Sequence, residues 1–164
     1  MIKVLIVDDE YIMRQGLRYM ISWEEEGFHI VGEATNGQEA LTQIESLQPN
    51  IVLCDVVMPL MDGIDFVTTV HKLYPALEIL VLSGYDKFEY VRRTLLNGAS
   101  DYILKPTLNP QVLLQSLQNA AQRLPAGLLE EDTSSAVLDY GRILEQYILG
   151  LDVFATMSSD ELKK

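Results

Sequence analysis

The feature that most constrains this chain is a fivefold alternation across its first 124 residues. Short apolar runs, Val4–Val7, His29–Gly32, Ile51–Cys54, Ile79–Leu82 and Tyr102–Leu104, are separated by longer amphipathic stretches. The runs are β-branched and nearly continuous rather than alternating, which is expected of strands covered on both faces. The stretches between them carry a helical period. Ile12, Gly16, Leu17, Met20 and Ile21 share one face of the first; Ala40, Leu41, Ile44 and Leu47 do so in the second, after an Asn36-Gly37 turn. Asp62 opens the third, with Phe66, Val67, Val70 and Leu73 inward and Pro75 ending it. The fourth runs from about Asp86 to Asn97, with Gly98 as its stop. The fifth has Asn109 as cap, Pro110 at the first helical position, and Val112, Leu113, Leu117 and Ala120 inward.

Such alternation predicts an α/β fold, a parallel sheet with helices on both faces joined by right-handed crossovers. In these sheets chemistry sits beyond the carboxyl ends of the strands, at the switch in strand order. Asp8, Asp9 and Glu10 follow the first strand, Asp55 ends the third, Ser83 the fourth, and Lys105-Pro106 the fifth. Glu33-Ala34 at the end of the second is less informative. Three aspartates with Glu10 beside them, a hydroxyl and an ammonium therefore converge on one sheet edge. Crowded carboxylates repel one another, and a divalent cation relieves them. Mg²⁺ suits such a site, because it takes oxygen ligands and commonly combines one or two carboxylates with phosphate oxygens. Phosphoryl transfer needs little beyond a nucleophile, charge neutralisation and positioning, and a carboxylate can be that nucleophile. Singly, each residue has a plainer reading: an Asp as helix cap, Ser83 as turn residue, Lys105 as surface lysine. Their joint occurrence at four strand ends is what favours the chemistry.

The segments Ile6-Val7-Asp8-Asp9-Glu10, Asp55-Val56-Val57-Met58-Pro59-Leu60-Met61-Asp62-Gly63, Leu82-Ser83-Gly84 and Asp101-Tyr102-Ile103-Leu104-Lys105-Pro106 resemble the receiver domains of two-component response regulators. The resemblance covers about residues 1–124. It implies a CheY-like (flavodoxin-like) five-stranded sheet in the order 2-1-3-4-5. It also implies Asp55 as phosphoacceptor, Mg²⁺ held by Asp8, Asp9, Asp55 and the backbone carbonyl of Val57, and Lys105 paired with the phosphoryl group through a cis Lys105-Pro106 bond. Ser83 and Tyr102 match the switch hydroxyl and switch aromatic. A sensor histidine kinase is the implied partner, and a signalling switch rather than an enzyme is the implied role. The loop Trp23-Glu24-Glu25-Glu26-Gly27-Phe28, the Gly32-Glu33-Ala34 strand end, and Ser83-Gly84-Tyr85 with Phe88 and Tyr90 resemble receivers joined to AraC-type DNA-binding domains. That implies a piece of a longer transcription factor, with DNA contacted only through a C-terminal domain outside these residues.

The rest of the chain bounds this reading. A net charge of −12 opposes phosphate backbones and argues against direct DNA binding. The single cysteine, Cys54, excludes an internal disulfide framework and a cysteine-cluster zinc site, and reads as a small core side chain. His29 and His71 have no ligand spacing. No apolar run approaches the roughly 18 residues of a membrane span, and the expected compartment is the cytoplasm. After Pro125-Ala126-Gly127, residues 125–135 read as a linker and 136–164 as a helical tail. Val137, Tyr140, Leu144, Tyr147, Leu151 and Phe154 recur there at a and d spacing. That stripe fits either a homodimer or a helix folded back on its own domain. Two rivals fail on residues. An aspartate-nucleophile hydrolase needs a second Asp two positions after the first, where this chain has Val57. A flavin-binding module needs a phosphate cradle after the first strand, where it has Asp8-Asp9-Glu10.

Overall fold

Each of the five apolar runs forms a strand in a computed structural model of the chain, which describes residues 1–84 and 88–125. The strands are β1 (Ile2–Val7), β2 (Phe28–Ala34), β3 (Ile51–Asp55), β4 (Glu78–Ser83) and β5 (Asp101–Leu104). Each reaches one or more residues beyond its apolar run, because ladder hydrogen bonds do not stop where hydrophobicity does. Among the described residues they make one parallel sheet in the order β2-β1-β3-β4-β5. The chain steps from β1 outward to β2, then returns across β1 to β3. The switch point therefore lies between β1 and β3, and their carboxyl ends carry Asp8 and Asp55.

The helices are α1 (Tyr11–Met20), α2 (Gly37–Leu47), α3 (Gly63–Leu73), α4 (Phe88–Leu96) and α5 (Pro110–Arg123). Side-chain alternation along the strands divides the core in two. Val4, Ile6, Ile51, Leu53, Leu80 and Leu82 pack with Leu17 of α1 and Leu113, Leu117 and Ala120 of α5. Leu5, Val7, Val52, Cys54, Ile79 and Val81 pack with Ala40 and Ile44 of α2 and Phe66, Val67 and Val70 of α3. Both faces are apolar, as the continuous runs require. Asn36, Asp62 and Asn109 cap α2, α3 and α5, their side-chain oxygens accepting from the backbone N–H groups of Glu39, Asp65 and Val112. Asn36-Gly37 is thus a helix start rather than a turn. Gly98, at φ +114°, ends the stretch after α4 in a conformation that side-chain-bearing residues avoid.

Three expectations are corrected. The inner face of α1 is Met13, Leu17 and Met20, with Ile21 just past its end. Leu17, Met20 and Ile21 lie inward as expected, but Ile12 is 84% exposed and Gly16 faces open space, because Met13 takes the inward place in the first turn. Leu73, in the last turn of α3, is exposed rather than inward, since Tyr74, just past the helix, takes the inward place after Val70. The Lys105-Pro106 bond is trans, not cis. A short 3₁₀ turn over Lys105–Thr107 redirects the chain there, closed by Leu108 N–H donating to the Lys105 carbonyl. The expected beginning of the fourth helix at Asp86, the Tyr85 position, and the linker and helical tail beyond Pro125 lie outside the described residues.

Candidate functional site at the carboxyl end of the sheet

The site begins where β1 runs out. Asp8 N–H donates to the Ala34 carbonyl at 3.0 Å, one residue past the end of β1, and this fixes the direction of the Asp8 side chain. The Asp8 carboxylate is buried; its Oδ1 accepts from Glu10 N–H at 2.9 Å. Asp9 and Glu10 follow, exposed. Asp55 comes from the end of β3, 6% exposed, and its Oδ1 accepts from Val57 N–H at 3.3 Å. Carboxylate oxygens of Asp8, Asp9, Glu10 and Asp55 all lie within 4.8 Å of one another. Lys105 enters from the end of β5, and its Nζ stands 3.0 Å from Asp55 Oδ2, 3.3 Å from Asp8 Oδ2 and 4.0 Å from Glu10 Oε1. The trans peptide bond does not prevent that reach.

The electrostatics follow from crowding. Burial pushes the Asp8 carboxyl above the usual carboxylate range, and the Asp55 charge adds to this; the Glu10 N–H and Lys105 oppose both without cancelling them. Burial would lower the Lys105 ammonium, but its hydrogen bonds and charge pairing with Asp55 and Asp8 prevail, and it is held above its ordinary value. Burial, then the charges of Asp55 and Asp8, raise the Cys54 thiol well above normal, so it stays protonated and inert beside Asp55. One ammonium among four carboxylates leaves the cluster short of positive charge. Its donors are all oxygens, the chemistry that hard divalent cations take.

The loop after Asp55 is set by close packing. Gly63 N–H donates to the Val56 carbonyl at 2.7 Å. A Cβ on Gly63 would stand 2.5 Å from Val56 Cα and 2.6 Å from the Asp55 carbonyl oxygen, so only glycine fits. Val56 and Met58 are buried, Met61 packs against the same core, and Val57 is 49% exposed beside Asp55. Ser83 ends β4 fully buried, in register with Leu104, the residue before Lys105. Tyr102 is partly buried and packs on the core face shared by α2 and α3. Asp8, Asp9, Asp55 and Lys105 are thus brought together, with Val57 and Ser83 on adjoining strand ends and Tyr102 in β5.

Two arginines that sequence reasoning passed over, Arg14 and Arg18, belong to the same neighbourhood, through a glutamate it found uninformative. Glu33, at the end of β2, pairs with Arg14 at 3.3 Å and with Arg18 at 2.8 Å. Arg14 also donates from Nη1 to the Asp8 carbonyl at 2.7 Å. The only signal in the sequence is that Arg14 and Arg18 stand four apart and so share a helix face.

Known proteins bear on this geometry. Residues 4–118 match the family model described as the response regulator receiver domain. The transcriptional regulatory protein YesN of Bacillus subtilis is 40% identical over 124 residues, covering 76% of this chain and 33% of that protein. The solved structure of a two-component transcriptional regulator AraC from Clostridium phytofermentans is 36% identical, with TM-score 0.64, covering 75% of this chain and 94% of that one. A CheX-CheY-BeF3-Mg²⁺ complex from Borrelia burgdorferi aligns at 30% identity and TM-score 0.67, covering 73% of this chain and 89% of that one. This chain spans about a third to a half of the curated relatives it matches. No described helix is long and apolar enough to cross a membrane. The strand order, the acidic cluster facing a lysine and the match over most of its length agree, and the chain belongs to the response regulator receiver family.

Proposed function

We propose that this receiver takes a phosphoryl group on Asp55, and that Asp8, Asp9, Asp55 and the Val57 carbonyl hold the Mg²⁺ that makes the transfer feasible. The observation that carries the reading is the cluster itself: four carboxylates within 4.8 Å with Lys105 Nζ against two of them. Bound Mg²⁺ supplies neutralising charge for the phosphoryl oxygens. The Asp55 carboxylate attacks the phosphorus of a sensor histidine kinase's phosphohistidine. A new P–O bond forms as the P–N bond breaks, and the imidazole leaves with the bond pair and takes a proton. Lys105, already at Asp55, pairs with a phosphoryl oxygen. The buried Ser83 hydroxyl then donates to another phosphoryl oxygen, drawing its loop inward, and Tyr102 fills the space vacated.

The output follows from the relatives. Their greater length and names support a receiver that reports to a DNA-binding domain, of AraC type, in a longer transcription factor; its place of work is the cytoplasm. Residues 1–124 serve as the receiver, 125–135 as linker and 136–164 as the start of the connection to that output domain. The domain is a regulator rather than a conventional enzyme; its own chemistry is limited to Mg²⁺-dependent gain and loss of the phosphoryl group. Intact mass after incubation with a small acyl phosphate and Mg²⁺ tests this. A gain of one phosphoryl mass, abolished by chelator, is expected. No gain, or labelling indifferent to chelator, overturns it.

A further inference from the structure

The structure assigns Arg14 a part in the acidic site, an assignment that rests on reading that site as a divalent-cation pocket. Arg14 lies in the first turn of α1 with its side chain only 11% exposed. Its Nη1 donates to the Asp8 carbonyl at 2.7 Å and its Nε faces Glu33 Oε2 at 3.3 Å. Its guanidinium carbon lies 5.7 Å from the centroid of the Tyr11 ring. Glu33 is itself held, its other oxygen taking Arg18 Nε at 2.9 Å, and its backbone carbonyl accepting Gln43 Nε2 at 2.7 Å. One planar fork therefore ties the loop after β1, helix α1 and the end of β2 together.

The atom that Arg14 holds matters. The Asp8 carbonyl belongs to the rigid peptide plane that joins Asp8 to Asp9, the two successive carboxylate-bearing residues. Asp8 N–H, in the preceding peptide plane, is held by the Ala34 carbonyl, and a donor on the Asp8 carbonyl then restrains the plane that follows. By charge alone an arginine is a poor neighbour for a cation site. Its placement beside one, with Glu33 offsetting its charge, is explained by geometry rather than attraction. We propose that Arg14, oriented by Glu33, is a positioning residue that locks the Asp8–Asp9 peptide so that both carboxylates address one divalent cation.

Charge and geometry predict opposite signs, which makes the test decisive. Mg²⁺ affinity of the 1–164 chain is measured by calorimetry for the unaltered protein, Arg14→Gln and Arg14→Lys, with metal-free melting temperatures alongside. Removing a positive charge tightens Mg²⁺ binding if only charge matters. The positioning role predicts instead that Arg14→Gln weakens it by about tenfold or more, the usual cost of losing a group that orients metal ligands. Arg14→Lys keeps the charge but lacks the fork, and is expected to weaken binding too; it carries the test alone if Arg14→Gln does not fold. Binding as tight as or tighter than the unaltered protein's, in whichever variant folds, overturns the proposal. A lower melting temperature with unchanged affinity likewise reduces Arg14 to a structural residue. Failure of the unaltered chain to bind Mg²⁺ refutes the cation-pocket reading instead.

Discussion

Replacing Asp8 by Asn should make the metal-free protein more stable while abolishing its response to Mg²⁺. Asp8 is buried, and the effective cost of burying an ion is several kcal/mol. Against this stand the Glu10 N–H at 2.9 Å, a charged hydrogen bond of roughly 1.5–3 kcal/mol, and Lys105 at 3.3 Å. Lys105 attraction and Asp55 repulsion at up to 4.8 Å are about 5 and 3.5 kcal/mol at an effective dielectric near 20. Asp9 and Glu10, exposed and so more screened, add further repulsion; the charges together give Asp8 no net stabilisation, and burial decides the sign. Asn keeps an oxygen for the Glu10 N–H and carries no charge, so a gain of about 1–3 kcal/mol is expected at neutral pH. The pH dependence follows from the raised Asp8 carboxyl. A group whose folded value lies above its unfolded one, about 3.9, stabilises the fold in acid and loses that contribution as pH rises through the folded value. The advantage of Asp8→Asn should therefore shrink on acidification. Urea melts in chelator, followed by the lone tryptophan, Trp23, give the numbers; Trp23 is buried and its indole N–H donates to the Leu17 carbonyl. Adding Mg²⁺ at about a hundred times its dissociation constant should stabilise the unaltered chain by roughly 2.7 kcal/mol and leave the variant unmoved. An Asp8→Asn protein no more stable than the unaltered one in chelator would refute the electrostatic reasoning.

Gly63→Ala should cost about 1–3 kcal/mol in the same melts, because its Cβ meets the backbone of Asp55 and Val56 rather than a yielding side chain; an unchanged midpoint counts against this packing. Ser83→Ala should still gain the phosphoryl mass but lose the conformational change that follows, read by amide exchange over β4 and β5; a response equal to the unaltered chain's ends the switch assignment. Val57→Asn should speed loss of the phosphoryl group, since half-exposed Val57 offers an attacking water no polar partner; equal or slower decay contradicts shielding.

The sheet was legible because its central strands are buried on both faces and so read as unbroken apolar runs, and because Asp62 and Asn109 announce their helices by capping chemistry; the cap at Asn36 reads as a turn from sequence alone, since Asn-Gly serves both. The convergence of Asp8, Asp9, Asp55 and Lys105 was legible because parallel topology puts every strand's carboxyl end at one edge. What escaped depends on tertiary placement. In the first helix Met13 and Ile12 are both apolar, and only packing against the sheet decides that Met13 turns inward. Leu73 has the right spacing, but Tyr74, one residue on, takes the inward place. The trans Lys105-Pro106 bond is the ordinary isomer of a bond before proline, and the cis expectation comes from the family resemblance rather than from any residue pattern. Glu33 seemed uninformative because its partners, Arg14 and Arg18, reach it across a crossover from 19 and 15 positions earlier in the chain.

The central claim is that Asp55 is the residue that takes the phosphoryl group, and chemical trapping tests it most directly. After labelling with an acyl phosphate donor and Mg²⁺, borohydride reduces an aspartyl phosphate to the alcohol and converts that residue to homoserine. Peptide mass spectrometry should then find homoserine at position 55 and nowhere else, with Asp55→Asn giving none. Homoserine at Asp8, Asp9 or another carboxylate of the unaltered chain, or phosphoryl gain persisting in Asp55→Asn, would contradict the account.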